Sequence, residues 1–454
     1  MKEISYSKIE DAYSRFKAYV YYDNFNLSLR AQLAEFEKQE NLKQKFKELA
    51  TDLSDYLENG ALSERIKRMI EQSGYIVLPK SFTNANNSQK KNNILISNKQ
   101  NEDFYVDKTT ILFDGPIELH LIATLWIMEE GIKLHKKIGK DSYGYHLTIN
   151  QNETKLGTEK LLFTKYFKKY QEWRDRGIRA AKNQIKEGNE VLLISLDIKS
   201  FFPSTYINFL DLKKDLGLKD QYCISDIIEL ICIEHTKKIT IKKDRINNLP
   251  LLPIGLVSSG VIANWLLSDF DKSLKEKTAP VYYGRYVDDI FIVISNIKPP
   301  HKSNSKGEET NCTKEILDWL ELRFFFDKKP LKVVEEENDE FSLVFSDKKY
   351  KGLKIQGEKL KLFYFSPDWP LAMLNKFQKT LEENSSEFWF LPDEEEMKNN
   401  LDDEAFDMQY EDTINKFRSI SDVKASKYGA SVFLAKRIKL AILHSGSPND
   451  KITK

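Results

Sequence analysis

The chain is poor in cysteine: Cys223, Cys232 and Cys312 are the three among 454 residues. They lie far apart and show no C-x-x-C spacing, which argues against a zinc site and for a reducing compartment. No apolar run approaches the roughly 18 residues that a membrane span requires, and no secretory signal opens the sequence. A cytoplasmic protein without a membrane partner is expected. Net charge is also nearly absent. Seventy basic residues face 69 acidic ones, leaving +1, so any surface that grips a polyanion must arise from local clustering rather than a globally positive exterior. What the chain does hold is apolar material, 41% of its residues, enough for two or three domains with substantial cores.

Within that material, Val281-Tyr-Tyr-Gly-Arg-Tyr-Val-Asp-Asp-Ile-Phe-Ile-Val-Ile294 sets two adjacent carboxylates, Asp288 and Asp289, between apolar flanks. Each flank reads as a strand, with the acids at the turn between them. Carboxylates in so apolar a setting call for a compensating cation. A second apolar strand, Val191-Leu-Leu-Ile-Ser-Leu196, ends in Asp197. Three carboxylates from two strands suit a pair of Mg²⁺ ions, roughly 3.5–4 Å apart, clamping the attacking and leaving oxygens of an in-line phosphoryl transfer. Mg²⁺ keeps several water or phosphate oxygens, so few protein ligands suffice.

On these residues the chain, over about 100 to 365, resembles the reverse transcriptases. Tyr286-Val287-Asp288-Asp289 is similar to their catalytic box. Asp197 followed by Phe201 and Phe202 resembles the preceding acidic motif, where the aromatic five residues after the acid excludes a 2′-hydroxyl. Leu249-Pro-Leu-Leu-Pro-Ile-Gly-Leu-Val-Ser-Ser-Gly-Val-Ile-Ala-Asn264 resembles the glycine-containing loop and helix that support template and nucleotide. The resemblance implies catalysis by Asp197, Asp288 and Asp289, metal ligation by Asp197, Ile198, Asp288 and Asp289, and Mg²⁺ as cofactor with Mn²⁺ as a substitute. It implies substrate contacts at Phe202, Ile254 and Gly255. One of Lys328, Lys329 and Lys332 falls near the family's pyrophosphate-protonating lysine. Tyr350 to Gly357 followed by Leu360 to Phe365 resembles the primer-grip hairpin.

Blander readings stand beside several of these. Asp288 and Asp289 alone would suit a plain hairpin turn, and Phe202 a core aromatic, only spacing separating it from Phe201. The basic stretch Lys165 to Arg179, with Arg174, Arg176 and Arg179 as candidate triphosphate contacts, interleaves cations and aromatics that offer phosphate and base contacts. It is equally an amphipathic helix with a solvated basic face. Asp269 and Asp271, in the helical run Leu256 to Leu274, read as surface or capping acids.

The expected architecture is α+β, a right-hand polymerase. Residues 1–100 form a helical extension, helical to about 80, with a flexible 83–101; fingers occupy 101–190, with a turn at Phe113-Asp-Gly-Pro116 and a helix over 117–134. An antiparallel-sheet palm spans 191–365, its glycine-containing element at 249–275, and a mainly helical thumb 366–454. Within the palm, 301–311 reads as a solvent loop, in which His301 alone is no metal ligand, followed by a helix over 316–326 and a strand from Leu331. In the thumb, Asp393 to Glu396 reads as an acidic solvated face and Lys424 to Lys439 as a basic one.

No Val-Thr-Gly signature, histidine- and cysteine-bearing endonuclease tail, ribonuclease H or integrase segment is present. The short helical extensions, the Tyr-Val-Asp-Asp form and Ser386-Glu-Phe-Trp-Phe-Leu-Pro392 resemble bacterial defence-associated, abortive-infection-like reverse transcriptases. Tyr21-Tyr-Asp-Asn-Phe25 points to the second polymerase of the two-polymerase type-three system. That group implies dNTP polymerisation in antiphage defence, a DNA product, an RNA template or noncoding RNA, and a second reverse transcriptase or homo-oligomer as partner. Pro253-Ile254-Gly255 departs from the Pro-Gln-Gly of many template-copying relatives; it removes an amide donor and acceptor and points to unusual or protein-directed templating. Two alternatives remain, a noncatalytic scaffold and an RNA polymerase or terminal transferase. The scaffold should have lost an acid and has lost none, and Phe202 argues against ribonucleotides.

Overall fold

Amphipathic periodicity organises the first seventy residues into α1 (Tyr6–Tyr22), α2 (Leu27–Glu37), α3 (Leu42–Asn59) and α4 (Glu64–Gln72). In α3 the residues Phe46, Leu49, Leu53 and Tyr56 line one buried face, and Gly60 ends the helix at φ 75°, where a side chain would be strained. The computed structural model describes residues 3–23, 26–84, 104–150, 155–218, 221–239, 249–296, 319, 331–335, 341–355 and 361–366. The chain divides into two compact units, one of Met1–Ile76 with Leu112–Gln378, the other of Val77–Ile111 with Lys379–Lys454.

Helix was expected to about residue 80. Instead β1 (Gly74–Asn84) begins early and pairs with β2 (Phe104–Asp114) in a two-stranded sheet. The β-branched run Ile76-Val77 favours strand. The expected flexible segment 83–101 lies, beyond the end of β1, outside the described residues. Next, α5 (Ile117–Glu129) is apolar on every side and buried almost throughout, as befits a central helix; a 3₁₀ turn, Gly131–Leu134, completes the expected helical run.

Then follow α6 (His135–Ile138), α7 (Tyr166–Lys186), β3 (Val191–Asp197), α8 (Phe201–Ser204), α9 (Phe209–Asp215), α10 (Ile224–Lys238) and α11 (Ser259–Thr278). The chain continues through β4 (Tyr282–Tyr286), β5 (Asp289–Ser295), β6 (Leu331–Glu335), β7 (Phe341–Phe345), β8 (Lys354–Ile355) and β9 (Lys361–Phe365). Four strands build an antiparallel sheet in the order β4-β5-β3-β9. Helix α7 lies against it at Gly177, where an added Cβ would fall 2.3 Å from the Phe291 ring. Helix α11 meets the alternate side chains of β4, Tyr283 and Arg285, through Asp271. A second antiparallel sheet, β6-β7-β8, packs on α11 through Phe345 and Phe270, their ring centroids 4.7 Å apart.

The segments resembling a primer-grip hairpin take different partners: β8 pairs with β7, and β9 with β3. Lys332 is exposed on β6. The expectations for 301–311 and for 367 onward lie outside the described residues, as do Cys312, Lys328, Lys329 and, Trp319 apart, the helix expected over 316–326. Among the described residues no helix is long and apolar enough to cross a membrane.

His120 of α5 is buried with no hydrogen-bond partner at either ring nitrogen. Its ring stacks on Phe16 at 5.2 Å and meets Phe113 edge-on at 5.4 Å; His235 of α10 reaches the same Phe113 ring. Burial pushes His120 down to about 3 and His235 down to about 4, from an ordinary value of 6.5. Both stay neutral in the fold while the unfolded chain takes up protons below 6.5, so stability is lost as pH falls from about 6.5 toward 4. At pH 5 each histidine accounts for roughly 2 kcal/mol, at 1.36 kcal/mol per pH unit. Thermal melts between pH 7.5 and 4.5 should show this loss, and His120→Leu should flatten it; an unchanged slope would refute the assignment.

Candidate active site

The acid-bearing turn follows from the β4–β5 pairing. Tyr286 opposes Asp289, leaving Val287 and Asp288 as a two-residue hairpin loop. Such loops require a left-handed first residue when the second is not left-handed, and Val287 has φ 58°. A β-branched residue there is strained by about 1–3 kcal/mol, so its surroundings must hold it. Gly144 leaves room for the Val287 side chain, since a Cβ at 144 would stand 2.5 Å from Val287 Cγ2.

The third acid arrives on β3, whose buried run from Val191 to Leu196 is interrupted only at Ser195. Register places Asp197 directly opposite Asp289. The Ile198 amide donates to the Asp288 carbonyl at 3.1 Å. Ile198 is fully buried and bridges to Ile355 of β8. Directly opposed like charges destabilise a strand pair, and a divalent cation is the compensation that suits hard carboxylate oxygens.

Ser200, at φ 48°, then turns the chain into α8. Phe201 points into the core, 2% exposed, while Phe202 is half-buried, 5.3 Å from Phe201 and edge-on to Tyr145 at 6.5 Å. Of the two phenylalanines, Phe202 is thus the outward one. Tyr145 lies across Gly260 of α11, its ring within 2.5 Å of where a Cβ would stand. Burial first, then the charges of Asp23 and Asp288, hold its phenol above the ordinary range.

Residues 250–254 are stitched between two segments. Ile207 donates to the Pro250 carbonyl and Leu252 to that of Thr205, at 2.9 and 3.0 Å; on the other side Phe113 donates to Ile254 at 2.7 Å. Gly255 follows at φ 93°, a conformation that glycine supplies without strain.

On α7 the aromatic residues face inward. Tyr170 and Trp173 pack on Tyr286, with ring centroids 5.2 and 6.0 Å away. Burial first, then Tyr145, Tyr166, Tyr170 and Asp289, keep Tyr286 neutral, well above the ordinary phenol range. Arg174 pairs with Asp175 at 2.8 Å, and Arg176 with Glu172 at 2.7 Å and the Tyr143 hydroxyl at 3.4 Å. Arg179 is exposed. The helix is therefore amphipathic but keeps a net positive charge, with seven cations against two acids, Glu172 and Asp175; Arg176 and Arg179 are exposed, whereas Lys169 and Arg174 are mostly covered.

Asp271 corrects the expectation of a surface or capping acid. It is 4% exposed and binds Arg285 through both oxygens, whereas Asp269 does lie at the surface, paired with Lys349. The signal for Asp271 was its helical spacing with Leu267, Phe270 and Leu274, all buried. Arg285 offered a signal too, as an arginine within an otherwise apolar strand. Among the described residues no three His, Cys, Asp or Glu side chains gather closely enough to enclose a metal by themselves. Asp197, Asp288 and Asp289 share one end of the sheet, and a cation held there would complete its shell with substrate oxygens.

Residues 127–325 match the family model of the reverse transcriptase (RNA-dependent DNA polymerase), a span that includes all three acids and α11. The chain therefore carries a reverse transcriptase domain, with the right-hand polymerase fold this implies and the activity of an RNA-directed DNA polymerase, a nucleotidyltransferase that binds nucleic acid and deoxynucleoside triphosphates. Members of this family generally use divalent metals such as Mg²⁺. No curated protein matches the chain.

The seat beneath the turn is testable. Gly144→Ala should displace Val287 and lower nucleotide incorporation by about fivefold or more, for about 1–3 kcal/mol of overpacking, with secondary structure by circular dichroism retained. Undiminished incorporation would show that the turn does not depend on this contact.

Proposed function

We propose that this protein extends DNA by in-line phosphoryl transfer, with Asp197, Asp288 and Asp289 as the carboxylates that hold its two divalent cations, Mg²⁺ or Mn²⁺. The observation that carries this reading is the register partnership of Asp197 with Asp289, with Asp288 adjoining it in the turn. Bound cations would orient the attacking and leaving oxygens and offset the developing charge. A primer 3′-hydroxyl gives up its proton to solvent as its oxygen bonds to the α-phosphorus, the bond from that phosphorus to the oxygen bridging to the β-phosphate breaks, and pyrophosphate leaves. Ile198 supports the site from its backbone, and Phe202, the outward and half-buried one of the two phenylalanines, is the ring that would exclude a 2′-hydroxyl. Gly255 lets backbone approach the nucleotide. Of the three arginines, Arg179 is exposed for phosphate, whereas Arg174 and Arg176 would exchange a carboxylate for it.

The role extends, on sequence resemblance, to bacterial antiphage defence in the cytoplasm, with a noncoding RNA, a second reverse transcriptase or another copy of the chain as partner. Ile254, in place of an amide side chain, favours unusual or protein-directed templating.

Purified protein incubated with Mg²⁺ and labelled nucleotides, with and without RNA, should incorporate deoxynucleotides and not ribonucleotides. Asp197→Ala, Asp288→Ala and Asp289→Ala should each reduce incorporation to background while melting as folded proteins; retained activity in any of them would overturn the assignment. Phe202→Ala should weaken discrimination against ribonucleotides by about tenfold or more, the scale of a lost steric contact. Faithful copying of arbitrary RNA templates would refute the unusual-templating reading and leave the polymerase intact.

A further inference from the structure

Arg285 is a charged side chain with no exposed surface. Burying an ion costs several kcal/mol unless its hydrogen-bonding groups are satisfied, and here all five N–H donors of the guanidinium are used. Nε and Nη2 grip Asp271 of α11 at 2.9 and 2.8 Å, and Nη2 also reaches Ser142 Oγ at 3.2 Å. Nη1 donates to Asn264 Oδ1 at 3.0 Å and to the Val287 carbonyl at 2.8 Å. Burial alone would lower the guanidinium's pKa, but the charge and hydrogen bonds of Asp271 outweigh it and keep the group protonated.

The Asp271 pair alone would neutralise the charge. The bonds to Val287 and Asn264 do something further. Val287 is the strained left-handed residue, and its carbonyl belongs to the peptide that carries the Asp288 amide. Asn264, accepting from Arg285, donates through Nδ2 to the Gly144 carbonyl at 2.7 Å. Gly144 in turn is the backbone against which the Val287 side chain rests. With Ile198 donating to the Asp288 carbonyl, the peptides on both sides of Asp288 are tied.

We propose that Arg285 and Asn264 are positioning residues for the acid-bearing turn, holding Val287 left-handed and thereby setting the direction of Asp288. The consequence for catalysis rests on the reading of Asp288 as a metal-holding carboxylate; the consequence for the turn does not. A lysine at 285 keeps the charge but, as a single ammonium, cannot span Asp271 and Val287 together.

Three variants test this in the full chain: Arg285→Lys, Asn264→Ala and Tyr283→Phe. Tyr283→Phe removes one hydrogen bond from Asp271, at 2.5 Å, and leaves the ties to Val287 whole. Arg285→Lys and Asn264→Ala should speed hydrogen exchange at the 286–290 amides by about tenfold or more, a change of about 1.4 kcal/mol in local opening. They should also weaken Mn²⁺ binding read by electron paramagnetic resonance, and lower kcat with dNTP KM held within about twofold, as for an interaction realised in the transition state. Tyr283→Phe should lower Tm without these changes. If all three variants alter exchange, Mn²⁺ binding and kcat only in proportion to their loss of Tm, the residues are structural and the proposal falls. Should Arg285→Lys not fold, Asn264→Ala decides the matter, because it leaves the Arg285–Asp271 pair intact. Wild-type protein without incorporation would sink the polymerase reading while hydrogen exchange still judged the turn.

Discussion

The ladder between β3 and β5 runs from Val191 opposite Ser295 to Asp197 opposite Asp289, and the acid end of the sheet depends on that register. Side chains alternate faces along a strand, so a slip of one residue would carry Asp197 away from Asp289 to the opposite side. Burial prevents the slip. Leu192, Leu193 and Ile194 on β3 and Ile290, Ile292 and Val293 on β5 are all buried, each stabilising by about 1.5–3 kcal/mol when removed from water. The fit of Phe291 against Gly177 on α7 adds a steric constraint on β5. Apolar packing along the strands thus decides where the carboxylates stand at their tip.

The strands and their acids were legible because a sheet covered on both faces needs near-continuous apolar runs, and those runs end visibly in aspartate. The glycine-containing loop and the long helix after it were legible for similar reasons, although α11 begins at Ser259 rather than at Leu256. What escaped depended on partners distant in sequence. Asp271 reads as one more acid near a helix end until Arg285, on the following strand, comes to face it. The segments after Tyr350 invite a local hairpin, yet β9 finds the open edge of β3 instead. The start of β1 was hidden for a different reason, since the strand follows α4 after one residue, Ser73.

The near-zero net charge of the chain does not extend to α7, where seven cations face two acids. Lys169 and Arg176 share Glu172, and Arg174 meets Asp175. These pairs are partly solvent-exposed, so each is worth only about 0–1 kcal/mol. The cations left over make α7 a local cluster of positive charge in a chain that carries scarcely any excess of it.

The strand order β4-β5-β3-β9 also bears on how the protein is made. Strands β4 and β5 are neighbours in sequence and pair through a two-residue loop, but β3 leaves the ribosome well before either of them and waits longer still for β9. Until residue 365 has been synthesised, β3 presents an unpaired backbone edge built almost wholly of leucine, isoleucine and valine, the kind of edge that recruits foreign strands. Loop-closure entropy makes such distant pairings slow. The nascent chain therefore passes through an interval in which a strongly hydrophobic strand is available to other chains, and release from that hazard coincides with completion of the sheet that carries the acids.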